Sequence, residues 1–137
     1  TGVNAGTHYL AIIDSGSTAS RAHCFSFETP EGWSLDSDVE PLFAPMIDED
    51  DIEKVKPGIS KLVGDPEGLG EHMDKLIGTI SVTIPSDHHA STPVLLWATA
   101  GMRTIPEDDQ STILFFARSR LKQSPFLFRD SMARVIS

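Results

Sequence analysis

Apolar residues follow two different spacings along this chain, and the alternation of the two predicts an α/β fold. The runs at 8–13 and 94–98 are typical of buried strands, and residues 20–27 alternate between two faces as a strand does. Apolar residues recur every three to four positions from 66 to about 84, which predicts a helix. A second helix is expected to begin near Pro106, because acidic residues follow that proline in the first turn.

The remaining segments predict a tight turn and shorter strands. Residues 15–18 contain a glycine that tolerates positive φ, so we expect a turn there, followed by a strand at 20–27 antiparallel to the first. A third strand is expected within 33–43, and the tail at 126–137 could supply one more. The overall expectation is a mixed sheet with flanking helices.

Composition and charge exclude several classes of protein. The chain has 137 residues, of which 39% are hydrophobic and 23% charged, as expected for one globular domain with a core. Its net charge of −9 is opposite to the basic surface of a nucleic-acid-binding domain, so we expect no nucleic acid partner. No apolar run exceeds five residues, well short of the ~18 of a membrane-spanning helix. Cys24 is the only cysteine, so no disulfide can form within the chain.

The first candidate for chemistry is the segment at 13–21, which reads Ile-Asp-Ser-Gly-Ser-Thr-Ala-Ser-Arg. Backbone N–H groups of a turn around Gly16 can form a concavity that suits a phosphate oxygen. Asp14 would repel a phosphate, so its carboxylate is better placed to hold a hydrated Mg²⁺ or Ca²⁺ or to orient an attacking water. Arg21 could add a charge-assisted hydrogen bond to the same anion. The alternative is an ordinary hairpin whose Asp, Gly and Ser are good turn residues.

The second candidate is the segment at 97–103, which reads Trp-Ala-Thr-Ala-Gly-Met-Arg and ends another predicted strand. Its small side chains would let the backbone and a hydroxyl approach a ligand closely. The segment is expected to open onto a helix, whose N-terminus would attract an anion. Taken alone, it is better explained as a tightly packed connection between a strand and a helix.

Taken together, the two segments resemble a known arrangement. Two facing phosphate loops at strand ends, the first between antiparallel strands, resemble the actin/hexokinase-like (ribonuclease H-like) ATPase fold. Residues 14–21 resemble the first signature of the apyrase (ecto-nucleoside triphosphate diphosphohydrolase) family, and residues 98–103 resemble the second. Residues 56–60, Lys-Pro-Gly-Ile-Ser, are similar to the Lys-Pro-Gly-Leu-Ser that lies between them in that family. This resemblance implies that the chain is part of the N-terminal lobe of such an enzyme.

The resemblance also implies roles for particular residues. Asp14 and Thr99 would be catalytic, and Asp14 would order the hydration shell of a Ca²⁺ or Mg²⁺ cofactor. Residues of both loops would bind the substrate's phosphates: Gly16, Ser17, Thr18, Arg21, Ala100 and Gly101. Members of the family hydrolyse nucleoside tri- and diphosphates to the monophosphate by in-line attack of water, without a phosphoenzyme. An extracellular or secretory-lumen location is implied as well, and the sequence says nothing about a membrane anchor.

The chain departs from the family pattern in its first loop and lacks the later signatures. Ala19 stands where the family usually has Gly, and Ser15 where it usually has Ala; neither change removes a group needed for catalysis. The third signature, which carries the general-base Glu, and the fourth should both follow the second. Residues 64–68 spell Gly-Asp-Pro-Glu-Gly, but they precede the second signature and lie just before a predicted helix, so we reject them. We therefore expect 1–137 to be a single partial domain that is inactive without a second lobe.

Alternatives from other classes stay open at this point. The exopolyphosphatase and guanosine-pentaphosphate phosphatase family shares the fold and has a similar first loop, usually with Asn after Ser. Thr18 and the string at 98–103 favour the apyrase family instead. Because no general base is identifiable, the chain could also be a non-catalytic nucleotide- or phosphate-binding module, or a truncated inactive fragment.

Overall fold

A computed structural model describes residues 6–34, 36–38, 40–99 and 101–136 of the chain. The strands in this part are β1 (Gly6–Ser15), β2 (Ser20–Thr29), β3 (Ala44–Pro45), β4 (Val94–Ala98) and β5 (Ala133–Val135). The α-helices are α1 (Pro66–Thr83) and α2 (Glu107–Gln123). Short 3₁₀ helices lie in the connections, at Glu49–Asp51, Ile59–Leu62, Ser86–Ser91, Met102–Thr104 and Asp130–Met132.

The strands form one mixed sheet in the order β3-β2-β1-β4-β5. β2 runs antiparallel to β1 and β3, whereas β4 runs parallel to β1, and β5 runs parallel to β4. The β1–β2 ladder continues to the pair Ser15↔Ser20, so residues 16–19 form a short loop between the two strands. The carboxyl ends of β1, β4 and β5 therefore lie at one edge of the sheet, beside that loop.

A single hydrophobic cluster joins the helices to one face of the sheet. Alternate strand residues are buried in it, including Ile13 of β1 and Leu96 of β4. The helices contribute the buried residues Leu69, Met73, Leu76, Ile80, Ile113, Ala117 and Leu121. On the opposite face, Leu95 and Trp97 keep intermediate exposure. The sequence predicts a fully buried strand at 94–98. That prediction is wrong for Leu95 and Trp97, which remain partly exposed.

Both helices begin where their sequence signals predict, and α1 also ends within a residue of the predicted position. Asp65 is the N-cap of α1, and its carboxylate accepts a hydrogen bond of 2.9 Å from the Gly68 N–H. Glu67 is exposed in the first turn, which agrees with rejecting 64–68 as a family signature. α2 starts directly after Pro106 and ends at Gln123. Among the described residues, no helix is long and apolar enough to cross a membrane.

The third strand differs from the sequence prediction. The described residues between 33 and 43 form no strand, and β3 is the two-residue segment Ala44–Pro45. Turns occupy the start of this region, because Trp33 N–H donates to the Pro30 carbonyl and Ser34 N–H donates to the Ser37 hydroxyl. Serine side chains that bond to nearby backbone compete with strand pairing in this way.

Candidate active site

The loop between β1 and β2 is a tight turn that presents hydroxyl groups to solvent. Gly16 N–H donates a hydrogen bond of 2.9 Å to the Ala19 carbonyl and closes the turn. Ser17 and Thr18 at its tip are both exposed. The predicted turn and its antiparallel strands are confirmed, but Gly16 does not have the positive φ expected of it. Ser17 and Thr18 are accessible to a ligand.

The segment after β4 is bonded to the end of β1. Thr99 N–H donates to the Ser15 carbonyl at 2.9 Å, and Thr99 Oγ1 donates to the same oxygen at 3.2 Å. Gly101 then begins the short 3₁₀ helix Met102–Thr104, and α2 starts only at Glu107. Among the described residues, the α-helix N-terminus therefore lies directly after Pro106 and not at this segment. Ala100, predicted to bind phosphate, lies outside the described residues.

Two glycines from separate segments pack against the backbone of Ser17. A Cβ placed on Gly58 would overlap the Ser17 carbonyl and lie 3.0 Å from the Gly16 carbonyl oxygen. A Cβ placed on Gly101 would lie 2.9 Å from Ser17 Cα and 3.2 Å from Ser60 Oγ. The segments at 14–21, 56–60 and 98–103, which are far apart in sequence, thus converge on one residue.

Asp14 and Arg21 lie directly opposite each other in the β1–β2 ladder, one residue before and after the loop's closing pair. Asp14 is also the register partner of Trp97 in β4, and all three residues are partly exposed. Ser15 and Ser20 are buried in the helix-covered face, so strand alternation places Asp14 and Arg21 on the other face.

Arg21 also borders a cavity of about 260 Å³ beside this end of the hairpin. The other lining residues are Glu49, Asp50, Ile52 and Lys54. Arg21 therefore lines this cavity together with the acidic residues Glu49 and Asp50. Arg103, by contrast, is exposed on the 3₁₀ helix after Gly101.

The residues at this edge fit a hydrated divalent cation better than one enclosed by protein ligands. No group of three or more His, Cys, Asp or Glu side chains that could hold a metal occurs among the described residues. Mg²⁺ commonly keeps several waters and binds through one or two carboxylates together with substrate phosphates. Asp14, partly exposed near the end of β1, is a carboxylate of the kind that such an ion needs.

One buried group beneath the loop is absent from the sequence-based predictions. His72 of α1 lies with Nε2 2.7 Å from Ser20 Oγ, and Ser20 Oγ lies 2.8 Å from Ser15 Oγ. Burial, and to a smaller extent the positive charge of Lys75, lowers the pKa of His72 to about 4. The signal for this residue is its place beside Met73 in the apolar stripe of the predicted helix, where a histidine needs a polar partner.

The mixed sheet, its flanking helices and the two loops that meet at one edge define a protein of the actin/hexokinase-like (ribonuclease H-like) ATPase fold. The sequence also matches a family over nearly the whole chain. The GDA1/CD39 (nucleoside phosphatase) family matches residues 3–137, and the chain belongs to that family of enzymes.

Curated relatives agree with this family. Ectonucleoside triphosphate diphosphohydrolase 5 of Bos taurus is 33% identical over 136 residues, which are 98% of this chain and 30% of the relative. Probable apyrase 6 of Arabidopsis thaliana is 36% identical over 129 residues, which are 94% of this chain and 22% of the relative. The chain therefore spans less than a third of the length of these relatives.

Solved structures with a similar fold include a nucleoside triphosphate hydrolase from Neospora caninum, with a TM-score of 0.57 and 16% identity. That likeness covers 97% of this chain and 29% of the other. A Ppx/GppA family member from Aquifex aeolicus gives a TM-score of 0.53 and 12% identity, over 96% of this chain and 35% of the other. Identities this low show the fold alone. The family match over nearly the whole chain favours the apyrase-like family over the exopolyphosphatase family.

Proposed function

We propose that this chain supplies the phosphate-binding part of an enzyme that hydrolyses nucleoside tri- and diphosphates to the monophosphate and inorganic phosphate. The observation that carries the proposal is the convergence of three distant segments on Ser17. Membership of a nucleoside phosphatase family supports it, as does the name of the bovine relative, a nucleoside triphosphate diphosphohydrolase. An extracellular or secretory-lumen location belongs to the same proposal.

On this proposal, the substrate's terminal phosphate lies at the edge of the sheet where the two loops meet. The turn at Gly16 and the hydroxyl groups of Ser17 and Thr18 bind it from one side, and Gly101 with Ala100 from the other. Backbone N–H groups and hydroxyl groups bind phosphate oxygens without adding negative charge to the site. Arg21 contributes positive charge from β2, where it lies opposite Asp14. Phosphoryl transfer depends mainly on such positioning and charge neutralisation.

Asp14 and Thr99 have different tasks in the proposed reaction. Asp14 holds, through water, a Ca²⁺ or Mg²⁺ ion, which when bound neutralises phosphate charge. Thr99 lines the opposite side of the phosphate site at the end of β4, where its N–H and its hydroxyl both donate to the Ser15 carbonyl. Water attacks phosphorus in line with the leaving oxygen, and the nucleotide leaves as the phosphate is transferred to water. The general base comes from a part of the enzyme beyond the second loop.

The chain is, on this proposal, the beginning of the N-terminal lobe of a two-lobed enzyme, and the second lobe is its partner. The relatives are more than three times longer than the matched region, which supports this division. The nucleotide then lies in the cleft between the lobes, with its phosphates against the edge described here.

Release of phosphate from ATP, ADP and polyphosphate, with and without Ca²⁺ or Mg²⁺, tests the proposal. The assay compares the full-length protein with residues 1–137 and uses Asp14→Ala in each. Asp87→Ala, an exposed carboxylate on the 3₁₀ helix Ser86–Ser91, is the matched control. We expect metal-dependent release from both nucleotides by the full-length protein alone, lost in Asp14→Ala and kept in Asp87→Ala.

Other outcomes reject the proposal. Release from polyphosphate alone would point to an exopolyphosphatase. No release by the full-length protein from any of the three substrates would leave a phosphate-binding module as the better account. Full activity of Asp14→Ala would remove the proposed role of that carboxylate.

A further inference from the structure

A chain of buried polar side chains connects helix α1 to both ends of the loop at 16–19. His72 Nε2 bonds to Ser20 Oγ at 2.7 Å, and Ser20 Oγ bonds to Ser15 Oγ at 2.8 Å. Their exposed fractions are 3% for His72, 0% for Ser20 and 1% for Ser15. Polar groups buried this deeply reduce stability unless they are hydrogen-bonded. Apolar residues at these positions would pack the core without that cost. The polar chain therefore calls for an explanation beyond packing.

The backbones of the two serines hold the other segments of the site. The Ser15 carbonyl accepts from the Thr99 N–H at 2.9 Å. Ser20 exchanges two backbone hydrogen bonds of 2.8 Å with Val55, which immediately precedes residues 56–60. A shift of Ser15 would therefore move the segment at 98–103, and a shift of Ser20 would move the segment at 56–60.

We propose that His72 is a positioning residue for the phosphate loop: its hydrogen bond to Ser20 fixes the loop's ends relative to α1. The loop hydroxyl groups at Ser17 and Thr18 are thereby held in the orientation that phosphate binding needs. This inference rests on the function proposed above. α1 itself is held in place because its apolar face is buried in the core, including Leu69 and Met73 on either side of His72.

The contact is made through Nε2, while Nδ1 is buried without a hydrogen-bond partner among the described residues, an arrangement that suits a neutral ring. Burial keeps His72 in that form at pH 7, since it lowers the pKa to about 4. A glutamine amide, like the imidazole Nε2, can donate or accept a hydrogen bond at the end of the side chain. His72→Gln is therefore expected to preserve the bond to Ser20, whereas His72→Leu fills the space and removes the bond.

The first test measures nucleotide hydrolysis by full-length His72→Leu and His72→Gln. His89→Leu is the matched control, because His89 Nε2 donates to the Ile84 carbonyl at 2.8 Å, outside the loop. We expect His72→Leu to lower kcat about tenfold with KM changed less than about threefold, because misaligned groups lose transition-state contacts. His72→Gln and His89→Leu should stay within about threefold of the wild type.

A double substitution tests whether His72 acts through Ser20. Ser20→Ala and His72→Leu remove the same hydrogen bond, so the double variant should be no slower than Ser20→Ala alone. Multiplying losses would mean that His72 acts independently of the serine, and would overturn the inference.

Amide hydrogen exchange provides a readout that needs no activity. In His72→Leu we expect exchange at residues 15–20 to be about tenfold faster, with α2 unchanged and His72→Gln equal to the wild type. Unchanged loop exchange, or equal acceleration in α2, would overturn the inference. If the wild-type protein releases no phosphate while the loop responds as expected, the proposed function fails and the positioning stands. If the wild type is active and His72→Leu matches it, the positioning fails alone.

Discussion

The Cα of Gly58 faces the backbone carbonyl of Ser17, and no space for a side chain remains between them. The obstructing atoms belong to the main chain of a closed turn, so they cannot rotate away as a flexible side chain would. A residue 41 positions later in the chain therefore packs directly against the backbone of the loop at 16–19. Gly101 restricts Ser17 nearly as closely, with 2.9 Å between a placed Cβ and Ser17 Cα.

Gly58→Ala is expected to displace the phosphate loop and to lower nucleotide hydrolysis. A displacement of about 1 Å in a positioning group can reduce the rate by about 10²-fold. Overpacking should also reduce the free energy of unfolding by about 1–3 kcal/mol. Steady-state kinetics and denaturant unfolding of the full-length protein measure the two effects.

Gly78→Ala is the control for that substitution. Gly78 lies exposed in α1, with nothing within 4 Å of a placed Cβ. Alanine should raise the free energy of unfolding by up to about 1 kcal/mol and leave kcat unchanged. Equal kinetics for Gly58→Ala and Gly78→Ala would show that the contact with Ser17 does not matter to the reaction.

The folded state should become less stable as pH falls through the range in which His72 titrates. Burial lowers the pKa of His72 to about 4 in the folded chain, against about 6.5 when unfolded. The unfolded chain therefore binds more protons between those values, and stability falls as pH decreases across them. His72 contributes about 3 kcal/mol to that fall.

His72→Gln separates this contribution from that of the carboxylates. The variant keeps a polar side chain but has no group that titrates there, so its stability should depend less on pH between 6.5 and 4. Denaturant unfolding at a series of pH values measures the difference. Parallel curves for the wild type and His72→Gln would refute the predicted coupling.

The Cys24 thiol should resist alkylation in the folded chain. Burial raises its pKa to about 11, and the hydrogen bond with Thr83 offsets only part of that rise. At pH 8 the thiolate fraction is then at least about 100-fold smaller than for an unfolded cysteine. Mass spectrometry after iodoacetamide treatment, with and without denaturant, measures the ratio. Rapid labelling without denaturant would contradict the buried placement of Cys24 in β2.

Loss of the cap of α1 should reduce stability and spare the reaction. Asp65→Ala removes the acceptor for the Gly68 N–H, at a cost of about 1 kcal/mol in the free energy of unfolding. Asp65→Asn should retain most of that stability because asparagine is also a good N-cap. Phosphate release should be unchanged in both, since 64–68 begins a helix. A selective loss of kcat would instead mean that this segment serves the site.

Long periodic segments of the fold could be predicted from sequence, because their spacing follows from local geometry. Both helices and the first two strands depend on residues close in the chain. β3 could not be placed in this way. Its two residues, Ala44 and Pro45, are strand only because they pair with Ser26 and Phe25 of β2. That pairing is a contact between distant residues and leaves no periodic trace.

The candidate site shows the same division. The turn at Gly16 is visible in the sequence because glycine and serine are typical of turns. The approach of Gly58 to Ser17 is not visible from composition or spacing, and only the resemblance at 56–60 marked that segment. His72 cannot be recognised from the spacing of residues, because one polar residue barely alters an apolar helical stripe. Its significance depends on Ser20, 52 positions away.

The contacts around Ser17 separate two tasks that active-site loops often combine. The glycines at 58 and 101 contact mainly the backbone of residue 17, so they fix the position of the loop. The side chains of the exposed residues 17 and 18 determine which polar groups a ligand meets. Substitution of those two side chains should therefore alter the preference among substrates without displacing the loop backbone. On the proposed function, this edge of the sheet is thus a suitable starting point for redesigning which phosphate compound is accepted.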